Sequence, residues 1–164
     1  MKRIMVIGCP GSGKSTFSRA LRDATGLPLC YLDMLYWHSD RTTVSKYEFR
    51  AKLADVIASD AWIIDGNYGS TMEMRMQACD TVVFLDYPTE VCMAGIEARR
   101  GKPREDMPWV EEPGDVDEDF AAFVRAYNCE SRPKVMALLE KYADREIFRF
   151  SSRETADAFL ESLK

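Results

Sequence analysis

The stretch that decides the fold is Arg3-Ile4-Met5-Val6-Ile7-Gly8-Cys9-Pro10-Gly11-Ser12-Gly13-Lys14-Ser15-Thr16-Phe17. Residues 3–7 form a compact β-type run. Residues 8–15 match G-x-x-x-x-G-K-[ST] at every position. A helix then opens, with Phe17, Ala20, Leu21 and Ala24 on one face and Gly26 to end it. Strand, glycine-rich turn and helix in this order make a phosphate cradle. Gly11 and Gly13 let the chain curl so that successive N–H groups point inward, at the positive end of the helix beginning near Lys14. Lys14 brings a point charge to the β and γ phosphates, and the Ser15 hydroxyl is placed to coordinate Mg2+. Gly8, Gly11, Ser12, Gly13, Lys14, Ser15 and Thr16 are the expected ATP-binding residues. A dinucleotide site is excluded, because G-x-G-x-x-G needs a third glycine where Thr16 stands.

Outward from this turn, short β-type runs alternate with helix-period segments. The runs are 27–32 (interrupted by Pro28), 62–64, 81–85 and 146–150. Ser45 with Glu48 reads as a capping box ahead of Phe49, Leu53, Val56 and Ile57. Thr89 is expected to cap a helix running to Arg100. Phe120, Phe123, Val124 and Tyr127, then Val135, Leu138, Leu139 and Tyr142, fall in helical register with Pro133 between them. Ser151 with Glu154 is expected to cap a last helix facing inward through Ala156, Phe159, Leu160 and Leu163. Residues 71–79 fit both periods, since Met72, Met74 and Met76 alternate while Met72, Met76 and Cys79 suit a helix. Strands separated by helices require crossovers, which predicts a three-layer α/β/α P-loop NTPase fold with a five-stranded parallel sheet. All 164 residues read as one domain. Residues 101–119 interrupt the alternation with three prolines, two glycines and little periodicity, and are predicted to be a lid insertion. Six of the nine residues from 111 to 119 are acidic, which reads as a solvated face.

Composition bounds the function. With 46% apolar and 30% charged residues, the chain is neither disordered nor a disulfide scaffold. Lys plus Arg number 22 against 27 Asp plus Glu, a net −5 that gives no general positive field for nucleic acid or anionic membrane. Five cysteines without a C-x-x-C pair, and the single His38, build no zinc site; buried, reduced thiols are expected. Met1-Lys2-Arg3 before Ile4-Met5-Val6-Ile7 imitates a secretion signal, but four apolar residues fall short of the roughly 7–15 required. No apolar run approaches about 18 residues, so a cytoplasmic location without a membrane span is expected.

Magnesium held by one hydroxyl and phosphate oxygens needs nearby carboxylates. Asp33, Asp65 and Asp86 lie at strand ends, where an open α/β sheet places its ligand crevice. Asp65, before Gly66, is the expected metal-organising carboxylate with Ser15. Asp33 is expected to orient or deprotonate an acceptor hydroxyl. Asp86, before Tyr87-Pro88, reads as a turn residue. Arg99, Arg100, Lys102 and Arg104 cluster at a helix end, which is favourable by about 0.3–1 kcal/mol per charge with no ligand at all. A phosphoryl transition state also needs such donors, so at least one is expected to act in catalysis. Tyr31, Tyr36, Trp37 and His38 either line an acceptor pocket or simply pack.

The Walker A turn, Asp65-Gly66 after an apolar strand, Asp86-x-Pro88 and Arg100-x-x-x-Arg104 resemble the nucleoside monophosphate kinases, adenylate kinase in particular. Leu32-Asp33-Met34-Leu35-Tyr36-Trp37, Trp62-Ile63-Ile64-Asp65-Gly66-Asn67-Tyr68 and Ser131-Arg132-Pro133 are similar to adenylate-kinase-related "DNA topology modulation" proteins. The resemblance implies ATP and Mg2+ on the turn and a lid contributing arginines, with Arg100 by the adenine, Arg104 near the phosphates and Arg132 as a further phosphate contact. The chain departs from adenylate kinases where D-G-F-P-R is replaced by Asp65-Gly66-Asn67-Tyr68-Gly69, losing the arginine that grips an acceptor phosphate; Arg75 is a candidate replacement. Asp33 followed by aromatics is closer to small-metabolite kinases such as shikimate kinase. The function expected is an ATP- and Mg2+-dependent phosphotransferase acting on a nucleotide or other small metabolite. The alternatives are a nucleotide-binding, DNA-topology-associated regulator and an ATPase without a dedicated acceptor.

Overall fold

β1 (Arg3–Gly8) is the middle of the sheet, and its side chains are buried on both faces, which is why it reads as an unbroken apolar run. The computed structural model describes residues 1–112 and 117–164. After β1 come α1 (Lys14–Thr25), β2 (Leu29–Tyr31), α2 (Leu32–Tyr36), α3 (Lys46–Ile57), β3 (Trp62–Asp65), α4 (Gly69–Ala78) and β4 (Thr81–Leu85). The chain continues through α5 (Thr89–Arg99), α6 (Glu118–Glu130), α7 (Arg132–Lys141), β5 (Glu146–Phe150) and α8 (Arg153–Ser162). All pairings are parallel, in the order β2-β3-β1-β4-β5. The expected five-stranded three-layer fold is what forms.

Alternation along the strands sorts the core into two halves. Ile4, Val6, Ile63, Val83 and Leu85 face α1, α5, α6 and α8 through Phe17, Leu21, Cys92, Val124 and Leu160. Met5, Ile7, Ile64, Val82 and Phe84 face α2, α3, α4 and α7 through Leu32, Phe49, Leu53, Met76 and Val135. This arrangement fixes the ligand crevice. The chain leaves β1 through α1 toward β2, whereas it leaves the neighbouring β3 through α4 toward β4, on the opposite face and in the opposite direction. The carboxyl ends of β1 and β3 are therefore a topological switch point, where open α/β sheets bind ligands.

Several local expectations are corrected. Residues 71–78 belong to α4, with Thr71, Met72, Arg75 and Met76 buried on one helical face and Cys79 as its C-cap. The second strand is only Leu29–Tyr31, because Leu32 already begins the short α2. Pro88, not Thr89, occupies the N-cap of α5, which ends at Arg99; the Thr89 hydroxyl instead accepts from Asn128 at 3.1 Å. Ser152 caps α8 by accepting from the Thr155 N–H, one residue later than the expected Ser151. The Ser45 cap of α3 forms as read, accepting from the Glu48 N–H at 3.1 Å. Cys9, Cys79 and Cys92 are buried free thiols, but Cys30 is half-buried and Cys129 exposed. In the acidic run, Asp117 caps α6 by accepting from the Phe120 N–H, and Glu118 and Asp119 sit in its first turn. Asp115 lies outside the described residues. Among the described residues, no helix is long and apolar enough to cross a membrane.

Candidate active site

The turn after β1 is held by close backbone approach. A Cβ on Gly11 would meet the Cys92 carbonyl oxygen at 2.0 Å, and one on Gly95 would meet the Gly11 carbonyl oxygen at 1.9 Å, so α5 presses directly on the loop. Gly13 sits at φ 92° as the N-cap of α1, which has no side-chain cap bond and no acidic residue in its first turn. The helix thus opens with its N–H groups uncompensated by its own sequence, as an anion requires. The Ser12 hydroxyl is buried without a partner among the described residues, and the Lys14 ammonium lies 3.4 Å from the Cys9 carbonyl oxygen.

Asp65 ends β3 directly across the switch point. Its Oδ2 accepts from the Ser15 hydroxyl at 2.6 Å, while its Oδ1 is buried without a partner among the described residues. Burial pushes its pKa up to about 6, opposed by the Lys14 charge and the Ser15 bond. No cluster of three or more His, Cys, Asp or Glu capable of holding a metal stands among the described residues. One hydroxyl braced by one carboxylate with a spare oxygen suits Mg2+, which takes few protein ligands and completes its shell with phosphate and water.

The loop after β3 carries residues that sequence reasoning did not assign. The Asn67 amide grips Gly8 from both sides, donating to its carbonyl at 2.6 Å and accepting from its N–H at 3.1 Å. Tyr68 stands at φ 41° in the left-handed region, a strain of order 1–3 kcal/mol for a side chain of this size. It directs its hydroxyl to Asp33 Oδ1 at 2.5 Å. Arg75 holds that strain in place. Wholly buried, it donates to the carbonyl oxygens of Gly66 (2.8 Å), Tyr68 (3.2 Å) and Asn67. Burial lowers its pKa to about 9. Arg75 therefore does not replace the missing acceptor arginine; its guanidinium is spent on backbone. Asp33 lies in α2, and burial raises its pKa despite the Tyr68 bond.

Two cavities open onto this constellation. The larger, about 450 Å³, runs from the glycine turn to the segment after α5. Its cations Lys14, Arg19, Arg99, Lys102, Arg104 and Arg153 far outweigh Glu105 and Asp106. The smaller, about 220 Å³, is lined by Lys14, Asp33, Asp65, Tyr31 and Tyr68, with Arg99, Asp106 and Phe120 closing it. Lys14, Ser15, Arg99 and Asp106 line both. Arg104 lies 3.9 Å from Asp106 and 4.0 Å from Glu111. Tyr31 reaches the smaller cavity, whereas Tyr36 packs between Trp37, Phe49 and Tyr68, and His38 is exposed. Trp37 meets Trp109 edge-on at 5.0 Å, docking the 101–112 segment on α2.

Two expected site residues face elsewhere. Arg100 turns back to Glu97 at 3.1 Å and lines neither cavity. Arg132 makes a bidentate pair with Asp86, at 2.8 and 2.9 Å, and also lines neither. The neighbour Arg99, read only as one of a basic cluster, is the arginine between the cavities, its pKa lowered by burial and by Arg104. Asp106 had no sequence signal beyond its place in an irregular segment.

By sequence, the chain matches no protein-family model and no curated protein. By structure, a shikimate kinase from Bacteroides thetaiotaomicron matches with a TM-score of 0.57 at 18% identity, over 99% of this chain and 95% of that one. A shikimate kinase from Acinetobacter baumannii, solved with shikimate, gives a TM-score of 0.64 at 16% identity, over 99% and 90% of the two chains. The three-layer α/β/α fold is the one these structures share. At such identities the likeness speaks for the architecture and its crevice, and the residues must speak for the chemistry.

Proposed function

We propose that this protein is an ATP- and Mg2+-dependent kinase that transfers the γ-phosphoryl group to a hydroxyl of a small metabolite, on an adenylate-kinase-like plan with residues 101–119 as a lid. The observation that carries the reading is the Ser15–Asp65 bond at the junction of a cation-lined cavity and a second cavity containing Asp33. Gly8, Gly11, Ser12, Gly13, Lys14, Ser15 and Thr16 would receive the triphosphate. Ser15 and Asp65 would hold Mg2+, which spreads charge away from the β and γ phosphates when bound.

The chain's own groups divide the remaining work. The acceptor hydroxyl approaches from the smaller cavity, with Asp33 accepting its proton as the new P–O bond forms and the bond to the β-phosphate oxygen breaks. Asp33 suits this task, because burial makes it more basic than an exposed aspartate and Tyr68 fixes its orientation. Lys14 and Arg99, common to both cavities, meet the charge that develops between donor and acceptor. Arg104 faces the donor phosphates. Arg104 keeps the phosphate role that the resemblance gave it, and Arg99 takes the further phosphate contact it gave to Arg132; Arg100 and Arg132 are bonded elsewhere. Closure of 101–119 over the donor would exclude water, so that ATP is not hydrolysed.

Lys14→Ala tests the donor site. The variant should keep its circular dichroism spectrum, lose the heat of Mg-ATP binding and lose acceptor-dependent ATP consumption. Full activity in that variant would sink the assignment.

A further inference from the structure

We infer that the acceptor is an uncharged, hydroxyl-bearing ring compound of the sugar or nucleoside kind, and not a phosphate monoester or a carboxylic acid. The inference rests on the kinase reading and deepens it. It comes from the contrast in charge between two cavities that share a wall. The donor cavity is dominated by cations, whereas the acceptor cavity presents Asp33, Asp65 and Asp106 against Lys14 and Arg99 alone among its described lining residues. Those two cations and Asp106 also line the donor cavity; a triphosphate claims the cations first, and with Asp65 turned to Ser15 the charge left facing the acceptor is that of Asp33 and Asp106. An anionic acceptor would therefore enter a space whose remaining charge is negative.

Three observations close the escape routes. Arg75, the guanidinium nearest in sequence to the expected acceptor grip, is wholly buried and bonded to three carbonyl oxygens. Asp106 is a buried carboxylate, 6% exposed, and Arg104, 3.9 Å from it, lines the donor cavity rather than the acceptor one. Asp33 already accepts from the Tyr68 hydroxyl at 2.5 Å and offers an anion no positive charge. The rest of the lining is suited to a neutral ring. Tyr31, Tyr68, Phe120 and Phe123 supply aromatic surface, and Phe123 is 46% exposed. Aromatic faces of this kind bind sugars and bases without needing charge. The cavity, about 220 Å³, is sized for a small metabolite and not for a macromolecular segment.

The test pairs each neutral compound with an anionic partner of matched shape: adenosine with AMP, glucose with gluconate, and methyl shikimate with shikimate. Acceptor-dependent ATP consumption is measured for each, with calorimetry of Mg-ATP binding alongside. At least one neutral member should be turned over with kcat/KM on the order of 100-fold above its anionic partner, and the pair that responds tells sugar from nucleoside. Asp106→Asn should narrow that ratio by about tenfold, as removal of one like charge from the wall requires. Preference for an anionic member overturns the inference and leaves the kinase standing. Bound ATP with no pair turned over also overturns it. No heat of Mg-ATP binding at all overturns the kinase reading itself.

Discussion

Asp65 and Asp86 close strands on either side of β1, one at the end of β3 and the other just past β4, and they live opposite lives. Asp86 is fully compensated. It accepts from Arg132 at 2.8 and 2.9 Å and from Arg149 at 2.8 Å, tying the start of α7 and the edge strand β5 to the sheet. Asp65 is more deeply buried and, among the described residues, has one hydroxyl for a partner and an oxygen with none. A buried carboxylate costs several kcal/mol unless it is paired. The fold carries that cost at Asp65 and removes it at Asp86, a contrast that supports the proposed metal-holding role for the first and a scaffold role for the second.

Asp65→Asn probes the difference most strongly. The amide keeps the shape but loses the charge, and loss of such a metal-orienting group costs roughly 10- to 100-fold in activity or metal affinity. The same substitution should raise the Tm of the ligand-free protein, because it removes an uncompensated buried charge. A variant that lost activity and stability together would place Asp65 in the scaffold beside Asp86 and erase the contrast.

Arg132 is the next place to press. If its role is to hold Asp86, Arg132→Met should cost about 2–3 kcal/mol, or roughly 5–10 °C in Tm, with kcat per folded molecule within about twofold of the parent. Asp86→Asn should do the same. A fall in kcat of about 10³-fold for Arg132→Met, the scale of a phosphate-directed arginine, would restore the role that the adenylate kinase resemblance implies. Urea denaturation read against steady-state kinetics separates the two outcomes.

The same pair explains how much was legible before the fold was known. Glycine spacing, Lys14 and Ser15 dictate their own geometry through local backbone chemistry, so the donor half could be read from eight consecutive residues. The strand ends were readable because apolar runs stop where side chains must meet a ligand or solvent, and Asp65 was found that way. What could not be read was pairing across distance. Asp86 and Arg132 are 46 residues apart, and nothing local tells an arginine committed to a carboxylate from one aimed at a phosphate. Arg99 and Arg100 are neighbours with the same charge; only the end of α5 at Arg99 decides which one looks into the cavities. The acceptor half is built from such long-range choices, including Arg75 turning inward, and so its chemistry had to wait for the fold.

The smallest effect, and the most diagnostic in sign, is the pH dependence of stability. Asp65 has a folded pKa of about 6 against an ordinary 3.8, so above about pH 6 it is ionised in both states and its burial weighs in full. As pH falls from 6 toward 4, the folded state takes up a proton that the unfolded state does not, and the penalty is relieved. For Asp86, burial raises the pKa but Arg132 and Arg149 outweigh it and hold the carboxyl below the ordinary value. Its contribution is whole above about pH 4 and is lost only as pH falls through that depressed value. The Tm advantage of Asp65→Asn over the parent, a few degrees at pH 8, should therefore shrink to nothing near pH 4, while the deficit of Asp86→Asn should persist to pH 4 and close below it. Asp33, also raised by burial, adds a background of the same sign as Asp65 that cancels when each variant is compared with the parent at the same pH. If both differences faded over one pH window, the two carboxylates would share an environment, and the distinction between a charge kept for a ligand and a charge kept for the fold would be gone.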